Sequence, residues 1–483
     1  MNNKETIQKA LLKLKSNQPL EAIDIINKTS NNEINNPDLL LIKGLSNSKL
    51  KKYNVALIDL KKIISIDPNY VDAYFNIAVI YKEKKNYHEA LKYLDKLTFI
   101  DKKNFKAFSN KCFIKIILRD FNDALNDANL AIKLNNKYLN AYLQRGNIYK
   151  ELKIFDKSED DYNHVIKLAQ KDSLIYYEAC FNLSQLLLLN GSFKKGFELY
   201  EHRIHLEDYN SIRVKETGKK ISTLDNIKSK IVIVLGEQGI GDNIQFSRYL
   251  KFLKNKCLKV FFCVDKKMKP FFEKINIADR IYSPEDKIDF FDYYINLMSL
   301  PLLFQTDSNN IPDIDFKIKA DINKSDEWSK KIKPYQDFFK IGIKTTANKH
   351  IVGRNFSLNI FENLSKFKKI KLFSLEKEID KENISDVKIL KFDNFDEVEL
   401  FKDSKALIEN LDLVISCDTS IAHLSASMNK PTWIILNDVA DWRWLNKTKK
   451  SLWYKNVSLF RCEKKDKWSE PILQIEELLK EYK

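Results

Sequence analysis

Three short stretches carry residue types and spacings that could do chemistry. The first is Gly236-Glu237-Gln238-Gly239-Ile240-Gly241-Asp242, which follows the apolar, β-branched run 231–235. Three of the chain's ten glycines fall within it. Glycine gives up conformational entropy to gain positive φ and close backbone approach, so the loop is expected to admit something near its backbone. The N-terminus of the helix expected over 243–254 would favour an anion there. The spacing is GxxGxG rather than GxGxxG, and the lysine of a phosphate-binding P-loop is missing. Asp242 fits two roles, a helix cap or a general base. The second stretch is Asp418-Thr419-Ser420-Ile421-Ala422-His423, after the apolar run 413–417. Thr419 or Ser420 at a helix start would offer hydroxyl and backbone donors to a phosphate, and His423 would add a donor from the same turn. A hydrogen-bonded structural histidine is the other reading. The third, Asp441-Trp442-Arg443-Trp444, would either wall a base or sugar or plug the core with Arg443 paired to Asp441. Gln238, inside the first loop, and Gln245, just after it, join these four residues as candidates for a substrate wall.

Such residues need a scaffold that brings strand ends together. Beyond residue 230 the sequence alternates short apolar runs, at 231–235, 260–264, 293–297, 341–344, 372–375, 413–417 and 432–436, with amphipathic stretches. That texture predicts parallel sheets of the Rossmann type, in which ligands bind beyond the carboxyl ends of the strands. The length, and a break over 321–337, predict two such sheets. We expect one half over 230–330 and a second half with a terminal helix over 331–483. The polar stretch 211–229, which contains Thr217-Gly218-Lys219-Lys220, reads as a linker.

Before the linker the chain repeats. Ala22, Ala56, Ala90 and Ala124 stand 34 residues apart and Ser158 continues the series. Leu60, Leu94, Ala128 and Tyr162 follow four residues after, and Gly44, Ala78, Cys112 and Gly146 precede by twelve. A sixth unit, after a slip of four, has Gly196 in the small position, with Tyr200 and Leu183. This period resembles the tetratricopeptide repeat, with hairpins over 3–36, 37–70, 71–104, 105–138, 139–172 and about 177–208. Small residues would mark where paired helices cross closely, and larger apolar ones would fill the layers between hairpins. The resemblance implies an α-helical solenoid over 1–210 that holds a partner protein. Tyr74, Tyr81, Tyr142 and Tyr149 fit either interhelical packing or that groove.

Composition narrows the classes. Hydrophobic residues at 44% and charged residues at 31% are globular values. The net charge of +16 is spread along the chain without a basic, aromatic-laced block, which argues against a nucleic-acid groove. The six cysteines are scattered without CxxC or zinc spacing, so neither a disulfide framework nor a metal is expected. No apolar run reaches the roughly 20 residues that span a bilayer, and the first residues lack a signal-peptide core, so a cytoplasmic protein is expected.

Over 230–465, the segments 236–250 and 412–426 and the Asp441-Trp442-Arg443-Trp444 stretch resemble the glycosyltransferase domain found behind tetratricopeptide repeats, related to heptosyltransferases (glycosyltransferase family 9) and to O-GlcNAc-transferase-like enzymes. The resemblance implies a GT-B fold of two facing Rossmann-like domains, with the nucleotide-sugar bound by the C-terminal half over 331–483 and the acceptor toward the N-terminal one, and a hexosyl- or heptosyltransferase type of activity. It places Asp242 as the base that deprotonates the acceptor, and Gly239, Gly241, Asp418, Thr419, Ser420 and His423 at the donor diphosphate. Transfer would be inverting and would need neither metal nor cofactor, the nucleotide-sugar being substrate. The Asp313 and Asp315 pair is the one DxD triplet, and a GT-B enzyme does not require it. Relatives show a Trp-Gly-Asn stretch after the strand at 341–343, where this chain has Lys344 to Arg354 with Asn348, Lys349 and His350 between. Lys344 and Arg354 would still reach phosphate. The alternative reading is a non-catalytic repeat scaffold whose transferase-like domain is degenerate.

Overall fold

The computed structural model describes residues 3–28, 35–206, 209, 211–214, 218–225, 227–314, 316, 318–347, 353–377 and 387–482. Two compact units, Met1–Ala179 and Cys180–Lys483, make up the chain. In the first unit the 34-residue period becomes helical hairpins: α1 (Asn3–Lys15) with α2 (Pro19–Asn27), α3 (Pro37–Lys49) with α4 (Tyr53–Ile66), α5 (Val71–Glu83) with α6 (Tyr87–Ile100), α7 (Phe105–Ile117) with α8 (Phe121–Leu134), and α9 (Leu139–Glu151) with α10 (Phe155–Leu168). The small positions do what their size suggests. Ala22, Ala56, Ala90, Ala124 and Ser158 are fully buried. A Cβ on Gly44 would lie 2.9 Å from the Leu60 side chain and one on Gly146 2.7 Å from the Tyr162 ring, so each glycine lets the paired helix cross closely. The corners repeat as well: Asn17, Lys51, Lys85, Arg119 and Lys153 all carry φ between 57° and 62°. These are left-handed stops at which non-glycine residues bear some strain. The four tyrosines singled out above are used in packing contacts: Tyr74 and Tyr81 against Tyr93, Tyr142 against His164, and Tyr142 and Tyr149 both against the Arg145 guanidinium.

α11 (Leu174–Leu189) and α12 (Phe193–Tyr200) form the next hairpin, and the division between the units falls within α11. In the second unit, Phe193, Phe197 and Tyr200 of α12 pack their rings against Trp442 or Trp453. The stretch read as a linker carries β1 (Lys219–Lys220), an edge strand held by the buried Ile221 and by Gly218, which has no room for a Cβ beside Phe291. β2 (Ile231–Leu235), α13 (Ile240–Phe246), α14 (Arg248–Lys254), β3 (Lys259–Cys263), α15 (Lys269–Glu273), β4 (Arg280–Tyr282), β5 (Tyr293–Asn296) and α16 (Leu300–Leu303) complete the first sheet layer. The helix expected over 243–254 is thus two helices that meet at Ser247 and begins earlier, at Ile240.

α17 (Ile322–Ile332) occupies the expected break. Its Trp328 Nε1 donates to Asp403 Oδ1 at 3.0 Å and its ring packs on Phe392 and Phe395, so this helix belongs to the second sheet's layer and the boundary expected at 330/331 cuts through it. The second sheet holds β6 (Phe339–Lys344), β7 (Ile370–Ser374), β8 (Ile389–Leu390), β9 (Leu413–Ser416), β10 (Thr432–Leu436) and β11 (Val457–Arg461), with α18 (Lys402–Glu409), α19 (Ser420–Ser427) and α20 (Ser469–Leu478).

Both sheets are parallel throughout, in the orders β1-β5-β2-β3-β4 and β11-β10-β9-β6-β7-β8. From β6 onward the second sheet follows the 3-2-1-4-5-6 order of a doubly wound fold. From β2 onward the first follows 3-2-1-4, with β1 added at its edge. In each sheet the strand order reverses at one place, between β2 and β5 and between β6 and β9. Among the described residues no helix is long and apolar enough to cross a membrane, and all six cysteines are buried, none of them in a disulfide.

Candidate functional site

The loops singled out by sequence leave the carboxyl ends of β2 and β9, at the two reversal points, and they face one another. A Cβ on Gly241 would sit 2.7 Å from Cδ2 of His423 and 3.4 Å from the Ser420 Cα. What Gly241 admits is therefore the opposite helix of the same chain. Gly236 likewise makes room for the Asn243 side chain, at 2.5 Å from a built Cβ. A cleft of about 1090 Å³ opens beside this contact. Gln238, Gly239, Gly241, Asp242, Lys344, Asp418, Thr419, Ser420, His423, Asp441, Trp442 and Arg443 all line it. Gln245 and Trp444 stand outside that wall: Gln245 is fully buried with neither amide atom partnered among the described residues, and Trp444 stacks on the His423 ring at 5.2 Å.

Charge in the cleft is closely paired. Asp242 accepts from the Gly239 N–H at 2.8 Å through Oδ2, which caps the start of α13 from its third residue, and its Oδ1 lies 2.5 Å from Arg443 Nη2. The cap role is thus realised, and the carboxylate also bridges to the other sheet's loop. Arg443 holds Asp441 at 2.8 Å. Arg354 reaches Asp441 at 2.9 Å and Asp418 at 3.2 Å. Burial acts to raise the Asp441 carboxyl, but the Arg443 and Arg354 guanidiniums outweigh it and hold it well below the usual carboxylate range. Asp418, buried without an equal share of cation, is raised by that burial. Burial, seconded by Arg443, pushes His423 down to about 3, so its imidazole is neutral at physiological pH. Its Nδ1 stands 3.0 Å from the Tyr454 hydroxyl. Thr419 caps α19, accepting from the Ile421 N–H at 3.2 Å. Lys344 is ion-paired with Glu376, which also accepts the Thr345 and Thr346 N–H groups at 2.6 and 3.0 Å.

Sequence reasoning missed the residues that brace this arrangement. Arg203, which is 1% exposed, forks onto Glu237 with Nε at 3.0 Å and Nη2 at 2.8 Å. Glu237 further accepts from the Tyr209 hydroxyl at 2.7 Å and the Met298 N–H at 2.7 Å, which ties the segment after α12 to the ends of β2 and β5. Glu237 lay in view inside the glycine loop, but its partner 34 residues earlier follows no local rule. Asp313 pairs with Lys455 at the surface, at 2.6 Å. Asp315, Asn348, Lys349 and His350 lie outside the described residues. Among the described residues no group of three or more His, Cys, Asp or Glu could hold a metal ion.

Tetratricopeptide-repeat family profiles match residues 37–70, 60–92 and 139–172. The hairpins within those matches are tetratricopeptide repeats. Solved structures similar to part of the chain include MamA 41-end of Desulfovibrio magneticus RS-1, at 17% identity and TM-score 0.33 over 35% of this chain and 97% of that one. A thermophilic TPR protein of Thermus thermophilus matches at 14% identity and TM-score 0.33, over 38% of this chain and 98% of that one. Pseudomonas aeruginosa pilF matches at 12% identity and TM-score 0.37, over 42% and 89%. No curated protein matches the sequence significantly. Stacked repeats of this kind present an extended surface suited to recognising other proteins.

Proposed function

We propose that the α/β body is a GT-B glycosyltransferase that moves a sugar from a nucleotide-sugar onto the hydroxyl of a protein or surface-glycan acceptor recruited by the repeats. One observation carries the reading: two parallel sheets present their reversal-point loops to a single cleft, the place where doubly wound folds bind nucleotides. The α19 N-terminus, with Thr419, Ser420 and His423, would take the diphosphate, and Arg354, Arg443 and Lys344 would turn toward it. Arrival of the donor would draw Arg443 from Asp242. The freed carboxylate would take the acceptor's hydroxyl proton as the oxygen attacks the anomeric carbon, and the nucleoside diphosphate would leave with the bonding electron pair, stabilised by hydrogen-bond donors rather than a metal.

A second reading, a repeat scaffold with a degenerate transferase-like body, is favoured by the ion pairing. Five cations and five carboxylates line the cleft, and Lys344, Arg354 and Arg443 are each already matched. Turnover separates the two. Incubated with a panel of nucleotide-sugars and cell extract as acceptor source, the wild type should release nucleoside diphosphate, and Asp242→Ala should lower that release by about 10²- to 10⁴-fold. No release from any donor would leave the scaffold reading.

A further inference from the structure

His423 is a neutral, largely buried ring that lines the cleft, and its two nitrogens have different neighbours. On one side Nδ1 meets the Tyr454 hydroxyl at 3.0 Å. The ring lies between the Trp444 indole and the Gly241 backbone, and Cδ2 is the atom that a Cβ at Gly241 would strike. Rotation is therefore blocked, and the choice of tautomer falls to the partner of Nδ1. Tyr454 is itself buried and stands beside a cation: the Arg248 guanidinium lies 4.8 Å from its ring centroid. Arg248 is 1% exposed, and its hydrogen bonds go to the carbonyls of Gln245, Pro312 and Trp453 at 2.7, 3.1 and 2.7 Å, with Nη2 left over. No carboxylate is among those acceptors. Its positive charge therefore acts on the phenol, withdrawing electron density from the oxygen and making the O–H a better donor and the oxygen a poorer acceptor.

We infer that Tyr454 donates to Nδ1 and fixes His423 as the Nε2–H tautomer, so that an uncharged imidazole presents a hydrogen-bond donor to the cleft. The charged groups facing the ring are Arg443, Arg354, Arg248 and Asp441, and the three cations together oppose an imidazolium. Tyr454 and Arg248 are positioning residues, acting on the ring and not on a ligand. The use of that donor on a diphosphate rests on the reading given under Proposed function. The tautomer does not.

The test is nitrogen NMR on the full chain carrying isotope-labelled histidine, with the His423 signals assigned by their loss in His423→Gln. The wild type should show a pyridine-type Nδ1 and a pyrrole-type Nε2. Tyr454→Phe, which keeps the ring and removes only the donor, should shift the pattern to a tautomer mixture, with an unchanged circular dichroism spectrum. Its affinity for pyrophosphate should fall about tenfold, the scale of one hydrogen bond to a charged group. A protonated Nδ1 in the wild type, or a Tyr454→Phe spectrum identical to the wild type, would overturn the inference. The expected tautomer pattern with no pyrophosphate binding would leave it standing and count against the donor-binding reading instead.

Discussion

Asp242 serves two partners at once, the Gly239 N–H of its own helix and the Arg443 guanidinium of the facing loop. Asp242→Asn keeps the shape and removes the charge. It should leave Arg443 more free to move and abolish transfer, while costing stability by about 1–3 kcal/mol, measured by urea denaturation. His423 gives a prediction with a definite sign. Its folded value of about 3 lies below the ordinary 6.5, so between those limits the unfolded chain binds a proton that the folded one refuses. The stability contributed by the neutral ring is fully present above pH 6.5 and is lost as the pH falls toward about 3. His423→Gln should flatten the acid side of the melting-temperature profile in that window, and an unchanged slope would contradict the assignment. Residue chemistry was partly legible in sequence. Asp441 beside Arg443, and Asp242 at a helix start, advertise their contacts by adjacency. Arg203 with Glu237 and His423 with Tyr454 are tertiary pairs that no spacing encodes.

At the scale of elements, the segment that follows α12 is fastened to the end of β2 by the buried Arg203 and Glu237 fork. Removing one partner from a buried pair strands the other charge, so Arg203→Met should destabilise the second unit by about 3–5 kcal/mol, and Arg203→Met with Glu237→Met should recover part of that loss. A single variant no less stable than the wild type would remove the fork from the account. The repeat corners offer the opposite sign. Lys85 sits at φ 57°, a conformation that glycine adopts freely, so Lys85→Gly should raise the unfolding free energy of the first unit by about 0.5–1 kcal/mol. The hairpins were readable because the small residues recur with the fold's own period. So were the central strands, as β-branched runs. β1, β4, β8 and β11 went unread, being short, charged or at sheet edges, and β1 lies within the stretch expected as a linker.

For the whole molecule, the order of the strands says more than any motif. Two parallel sheets whose reversal points share one cleft make a nucleotide site the economical reading, whereas the carboxylates already bound to Arg354 and Arg443 set a condition on it: an incoming diphosphate must replace them. That exchange is what the account stands on, and titration calorimetry of the full chain with nucleotide-sugars of each common base tests it most directly. The prediction is saturable binding to at least one donor, with affinity lowered about 10-fold or more in Arg354→Met through the lost charge-assisted bonds. A wild type that binds no nucleotide-sugar or nucleoside diphosphate while melting cooperatively would contradict it.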